Sequence, residues 1–213
     1  DMLSGDTVGR GPLPWRLGPG GEGSLTIFAE ERTIYVENYR DGGVRISAYD
    51  TGTMRLRWES DSFGAVLGCG PVLCVHDFNG IAAVDRATGG RLWSRDGALN
   101  PYALPDGRLI VDDREEPPRA LLDAMTGRLI TGLGRTVPVV NTYTGTGTPY
   151  VIGATADPPG RSALAELDPV TGRTTLRGSL DQVLNDTCQG LDDLIACATP
   201  DKLLVVSPRR VSP

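Results

Sequence analysis

Ala82-Ala83-Val84-Asp85-Arg86-Ala87-Thr88-Gly89 recurs as Ala120-Leu121-Leu122-Asp123-Ala124-Met125-Thr126-Gly127, and again as Ala165-Glu166-Leu167-Asp168-Pro169-Val170-Thr171-Gly172. A looser copy, Ser47-Ala48-Tyr49-Asp50-Thr51-Gly52-Thr53-Met54, comes first, and its Asp50 stands as far from Trp58 as Asp85 stands from Trp93. In each copy the apolar run fits a buried strand and the aspartate accepts backbone N–H groups in an Asx-type turn. The glycine supplies a positive φ, and in the first copy it has moved. The unit reads as strand, tight turn, strand, and repetition at a period of roughly 35 to 50 residues marks a repeat architecture. Asp50, Asp85, Gly89, Asp123, Gly127, Asp168 and Gly172 are therefore read as turn formers. Repetition around a ring is what a structure needs and what a single active site does not.

Reading outward from each motif gives four short strands per unit. In the first unit they run from Leu25 to Glu30, Thr33 to Tyr39, Val44 to Asp50 and Arg55 to Glu59. In the second they run from Phe63 to Cys69, Val72 to Asp77, Gly80 to Asp85 and Arg91 to Arg95. Arg108 to Asp112 and Tyr150 to Thr155 belong to the third and fourth. The fifth unit has three, Thr187 to Gln189, Leu194 to Ala198 and Leu203 to Ser207. Trp58 and Trp93 fall on the strand after the turn, and Trp15 stands in an isolated Pro14-Trp15-Arg16-Leu17. One repeated packing position explains all three tryptophans. The expectation is an all-β propeller of about five four-stranded blades in which the strand around Trp15 completes the last blade and removes an exposed edge. It forms a single domain over residues 1–213, with 1–13 as an N-terminal extension and 208–213 as a tail. A longer array of seven or eight blades, of which this chain is a part, is the competing reading.

Composition agrees with many turns and short strands: 28 glycines and 16 prolines stand in 213 residues, with only 6% aromatic residues. A net charge of -6 argues against nucleic acid as a partner, because phosphate tracking needs clustered Lys and Arg. Lys202 is the only lysine among 21 basic residues, a skew that resembles a GC-rich genome such as an actinobacterium's. No apolar run of about 18 residues is present to span a bilayer, and the start shows no basic segment followed by an apolar one. A leader or anchor, if one exists, is expected to lie outside this sequence.

The Ala-x-x-Asp-x-x-Thr-Gly turn followed by Arg91-Leu92-Trp93 resembles the repeats of the pyrroloquinoline-quinone-dehydrogenase-like propeller family over most of the chain. That resemblance implies the fold more than the activity, since the family holds quinoprotein dehydrogenases and also propellers that bind no quinone. Its dehydrogenases carry adjacent cysteines over the quinone, a calcium site beside it and usually eight blades. Here no two cysteines are adjacent and the chain is too short for eight blades, so the resemblance implies a member without quinone and no cofactor is expected.

The four cysteines come as two close pairs, Cys69 with Cys74 and Cys188 with Cys197, each flanking an expected turn between the first and second strands of a blade. Two cross-strand disulfides at equivalent places in the second and fifth blades are expected, which would place the chain in an oxidising compartment; buried free thiols are the alternative. Zinc is not expected, for want of Cys-x-x-Cys spacing and of histidines. His76, the only histidine, sits beside Asp77 and could in principle form a His-Asp couple, but no nucleophile motif accompanies it. Asp112, Asp113, Glu115 and Glu116 are the candidate acids for a glycan hydrolase or lyase, although consecutive acids at a strand end usually make a solvated face. Gly145-Thr146-Gly147-Thr148 and Gly18-Pro19-Gly20-Gly21 lack the Lys-Ser/Thr of a phosphate loop and read as ordinary loops.

The function expected is that of an extracytoplasmic module without catalytic or metal-binding residues, secreted or held at a membrane by a segment outside this chain. Loops such as Glu115 to Arg119 and Ala156 to Ser162 would contact a protein or envelope ligand. A glycan-acting enzyme with carboxylates in the central channel is the alternative.

Overall fold

A computed structural model of the chain describes residues 25–40, 43–62, 64–77, 79–114, 118–140, 147–184, 187–191 and 194–208. They form five successive antiparallel sheets. The first holds β1 (Leu25–Glu30), β2 (Thr33–Arg40), β3 (Gly43–Asp50) and β4 (Leu56–Ser62); the second holds β5 (Ala65–Cys69), β6 (Val72–His76), β7 (Gly80–Asp85) and β8 (Arg91–Asp96). The third runs through β9 (Ala98–Leu104), β10 (Arg108–Asp113), β11 (Arg119–Asp123) and β12 (Leu129–Gly132). The fourth runs through β13 (Val137–Val139), β14 (Tyr150–Ala154), β15 (Arg161–Leu167) and β16 (Thr174–Asp181). The fifth has three strands, β17 (Gln189–Leu191), β18 (Leu194–Ala198) and β19 (Leu203–Val206). A 3-10 turn, Pro105–Gly107, links β9 to β10.

Within each sheet every strand pairs with its neighbour in sequence, so each sheet is a meander. In each of the first four sheets a β-bulge interrupts the pairing of the third and fourth strands beside the repeated turn. Four apolar cores lie between successive sheets. Tyr35, Ile46 and Trp58 meet Leu73 and Val84 between the first and second sheets, and Ala83 meets Leu109 and Leu122 between the second and third. Ile110 and Leu121 meet Val151 and Leu167 between the third and fourth, and Ile152 and Leu164 meet Ile195 between the fourth and fifth.

The strand reading needs one correction in the fifth unit: β17 begins at Gln189, so Thr187 and Cys188 precede it. Its pairing with β18 runs from Gln189 opposite Ala196 to Leu191 opposite Leu194, which fixes the later start. The expected closing strand around Trp15 lies outside the described residues, as do Phe63, Glu115 and Glu116.

Glu37 on β2 is 1% exposed, yet it lies in the sheet's interior beside the next blade. Its carboxylate accepts the Val66 N–H of β5 at 2.8 Å and the Tyr39 hydroxyl at 2.7 Å. Replacing it by alanine strands a buried N–H and opens a void, and is expected to cost about 2–4 kcal/mol. Glu37→Gln keeps an acceptor for Val66 and should lose less than half of that. Urea unfolding of both variants checks it, and equal losses would mean that side-chain volume, not the bond to β5, is what Glu37 contributes.

Candidate functional site

The repeated turns are one device used four times. Asp85 Oδ1 accepts the backbone N–H groups of Ala87 at 3.0 Å and Thr88 at 2.8 Å together with the Thr88 hydroxyl at 2.9 Å, while the Gly89 N–H returns to the Asp85 carbonyl at 2.9 Å. Asp50 with Thr53, Asp123 with Thr126, and Asp168 with Thr171 repeat the pattern. In each turn the threonine oxygen also accepts the N–H two residues on, from Arg55, Gly90, Arg128 or Arg173. These bonds depress all four carboxyls: Asp85 and Asp168 chiefly through the threonine hydroxyl, Asp123 through Thr126 against the opposing effect of burial. In Asp50 the ion pair with Arg57 comes first, ahead of Thr53, and the carboxyl falls to about 2.

The second, third and fourth turns also receive the last strand of the preceding sheet. Trp58 on β4 donates its indole N–H to the Arg86 carbonyl at 2.8 Å, and its ring lies against Gly89, where a methyl group would come within 2.5 Å of Cε3. Trp93 on β8 repeats this one blade on, with its N–H on the Ala124 carbonyl at 2.9 Å and its ring on Gly127. In the third blade Thr131 takes the tryptophan's place against Gly172. The first copy reaches the same left-handed conformation without glycine, at Met54 with φ 53. The threonine that completes the clamp was visible in every copy, and its double role is chemistry that hydroxyls bring to turns.

Cys69 pairs with Cys74 and Cys188 with Cys197. The two bridges are placed differently. Cys69 faces Val72 in the pairing of β5 with β6 and crosses diagonally to Cys74, near the hairpin turn. Cys188 lies one step beyond the Gln189–Ala196 pair and so stands opposite Cys197, at the far end of the hairpin. The expectation of equivalent placement is corrected by the later start of β17. All four cysteines are buried in the cores of their blades.

Of the candidate acids, Asp112 and Asp113 are engaged in structural pairs. Asp113 receives Arg95 at 3.0 and 2.6 Å, and Asp112 receives Arg119 on one oxygen and Asn100 at 2.9 Å on the other. Asp77 turns away from His76 to cap its own loop, accepting the N–H groups of Asn79 at 2.7 Å and Gly80 at 3.0 Å. His76, half-buried at the end of β6, is pulled below its ordinary range by burial, with the Asp77 charge opposing. Of the two glycine-rich stretches, Gly18–Gly21 and residues 145–146 lie outside the described residues. Among the described residues no helix is long and apolar enough to cross a membrane.

A histidine whose neutral form is favoured by the fold takes up protons more readily when unfolded, so its contribution is present at neutral pH and is lost as pH falls below about 6.5. The urea midpoint is expected to be lower at pH 5 than at pH 7.5, and the difference should shrink in His76→Gln. A difference of unchanged size in that variant would assign the pH dependence elsewhere.

No protein-family model and no curated protein matches the chain. Among solved structures, the WD40 domain of Neurospora crassa Pan2 is 11% identical over 93% of this chain and 67% of its own, with a TM-score of 0.50. An oligogalacturonate lyase in complex with manganese is 11% identical over 84% of this chain and 60% of its own, with a TM-score of 0.53. BamB from Moraxella catarrhalis is 17% identical over 86% of this chain and 72% of its own, with a TM-score of 0.41. The chain thus spans between 60% and 72% of these proteins. With its successive meander sheets it has the β-propeller fold of these structures, and its sheets number about five blades.

Proposed function

We propose that this chain is a non-enzymatic binding module of an extracytoplasmic protein, a closed ring of five blades of the quinoprotein type without quinone. The observation that carries the reading is the pair of buried disulfides, one in the second blade and one in the fifth. Such bridges persist in oxidising compartments and hold a small-stranded scaffold stiff. A stiff ring suits recognition through the loops at its rim. The loop expected from Ala156 to Ser162 is shorter, because β15 opens at Arg161 and buries Ser162; it is exposed over residues 156–160 and braced at its base, where the Thr155 hydroxyl donates to the Pro158 carbonyl at 2.7 Å. The ligand is a protein or an envelope component. A glycan hydrolase or lyase draws no support from Asp112 and Asp113, whose carboxylates are already held by arginines.

The test is affinity capture from an envelope extract with the disulfide-intact chain as bait, beside a variant whose residues 156–160 are replaced by glycine and serine. Saturable, stoichiometric retention of one protein by the first bait and not by the second supports the reading. Retention of a glycan that is altered on incubation overturns it.

A further inference from the structure

The two disulfides differ in what must give way before a reductant reaches them. Cys74 lies on β6, which is paired along its whole length with β5 on one side and β7 on the other. Cys69 is 0% exposed, and the turn after it is pressed on the third sheet so closely that a methyl group on Gly70 would come within 2.9 Å of the Gly107 Cα. Both cysteines share a core with Leu109 and Leu122, so exposing their bridge means parting the second sheet from the third. Cys188 stands outside the ladder, just before β17, which is 3 residues long. Among the described residues β17 has no second partner strand, and its Gly190 N–H reaches the Val140 carbonyl at 3.3 Å. Exposing this bridge takes a local opening of one short strand, and such openings lie at the low end of the free energies within one fold. Bridges that open easily are also the ones most readily reduced.

The chain between β16 and β17 connects this bridge to the fourth sheet. The Leu184 N–H donates to the Ala198 carbonyl at 2.9 Å, one residue beyond Cys197, and the Thr187 hydroxyl donates to the same carbonyl at 3.3 Å. Beside Leu184, the Val183 N–H donates to the Ser162 hydroxyl at 3.3 Å. Ser162 is the second residue of β15 and pairs with Ala154 on β14, so this bond sits at the foot of the exposed loop 156–160. Val183 is buried in one core with Cys188, Cys197, Ile152 and Leu164. Resting on the reading that this loop binds the ligand, we propose that Cys188–Cys197 is a reducible lock on the fifth sheet, and that opening it loosens the foot of the loop. The reductant is a dithiol. Its first thiolate attacks the Cys188 sulfur, the S–S bond breaks, and the electron pair leaves on the Cys197 sulfur, which takes up a proton. The second thiolate then attacks the mixed disulfide, releases Cys188 to be protonated in turn, and leaves the dithiol oxidised to its own disulfide. Two electrons and two protons pass from the dithiol to the bridge, while Cys69–Cys74 stays intact.

Stepwise reduction of the full chain with dithiothreitol tests this, with alkylation of the freed thiols, peptide mass spectrometry and hydrogen exchange on the same samples. Cys188 and Cys197 are expected to be alkylated on the order of 10-fold faster than Cys69 and Cys74. Once that bridge alone is open, exchange should rise on the order of 10-fold at β18 and at the ends of β14 and β15 that flank the loop, and stay unchanged at β6 and β10. The double variant Cys188→Ala with Cys197→Ala should show the same exchange pattern with no reductant present. Loss of both bridges at one rate overturns the proposal, and so does earlier loss of Cys69–Cys74. Opening of β18 that leaves β14 and β15 as they were overturns it as well. All of these readings are made on the chain alone, so a failure of the capture experiment counts against the binding role of the loop and not against the lock.

Discussion

Trp58→Ala is expected to destabilise the protein by about 3–5 kcal/mol, the range for truncating a large aromatic side chain in a core. The residue is 7% exposed and is packed in the core between the first two sheets with Tyr35, whose ring centroid is 6.1 Å away. It also bonds the carbonyl of Arg86 in the next blade, so the mutation removes burial, a ring contact and an inter-blade hydrogen bond together. Trp58→Phe separates the terms, because it keeps a ring over Gly89 and loses only the indole N–H and part of the contact area. Its cost should be about 1–2 kcal/mol. Urea unfolding followed by far-ultraviolet circular dichroism is the measurement, since removing a tryptophan alters the fluorescence itself. A loss below about 1 kcal/mol in Trp58→Ala would mean that the outer strand contributes little to holding the blades together. The third blade makes the corresponding contact with Thr131 and no tryptophan.

The packing positions of Trp58 and Trp93 and the turn aspartates and glycines belong to a unit a few residues long that repeats, which is why they were legible in the sequence. Local chemistry explains an Asp-x-x-Thr-Gly turn without reference to the rest of the chain, and four copies in register imply a series of similar blades. What was not legible depends on the neighbouring blade. Nothing in the local sequence says that Glu37 reaches Val66 on β5, a contact 29 residues away in the chain. Nor does it show that Glu30 pairs with Arg86 at 2.7 Å across 56 residues, lying over Gly68, which has no side chain to obstruct it. The displaced bridge of the fifth blade escaped for a related reason. Cysteine spacing fixes which residues can meet, and strand register, set by the pairing of Gln189 with Ala196, fixes where along the hairpin they do. Met54 is a third case. A pattern read by residue type assigned the special conformation to Gly52, whereas the hydrogen bond from the Met54 N–H to the Asp50 carbonyl puts it two residues later.

Gly89→Ala should be nearly as damaging as the loss of Trp58, for two reasons that can be measured apart. The backbone there has φ 72, which costs an L-residue about 1–2 kcal/mol. The added methyl also meets the indole ring at 2.5 Å from Cε3 and 2.7 Å from Cδ2, so Trp58 or the turn must move, at about 1–3 kcal/mol for overpacking. The sum is about 2–5 kcal/mol. Gly134→Ala is the matched control, since Gly134 has φ 59 and nothing within 4 Å of the new methyl, and it should show the backbone cost alone. In a Trp58→Ala background the methyl meets empty space, so Gly89→Ala should there cost no more than Gly134→Ala does in the parent. The shortfall in the double mutant then measures the contact between one blade's outer strand and the next blade's turn. If the two losses simply add, Trp58 and Gly89 act independently, and the glycine is required by its own turn and not by the neighbouring blade. If they couple, the last residue of the repeated turn serves two blades at once, which accounts for glycine in the second and third turns, where an indole arrives.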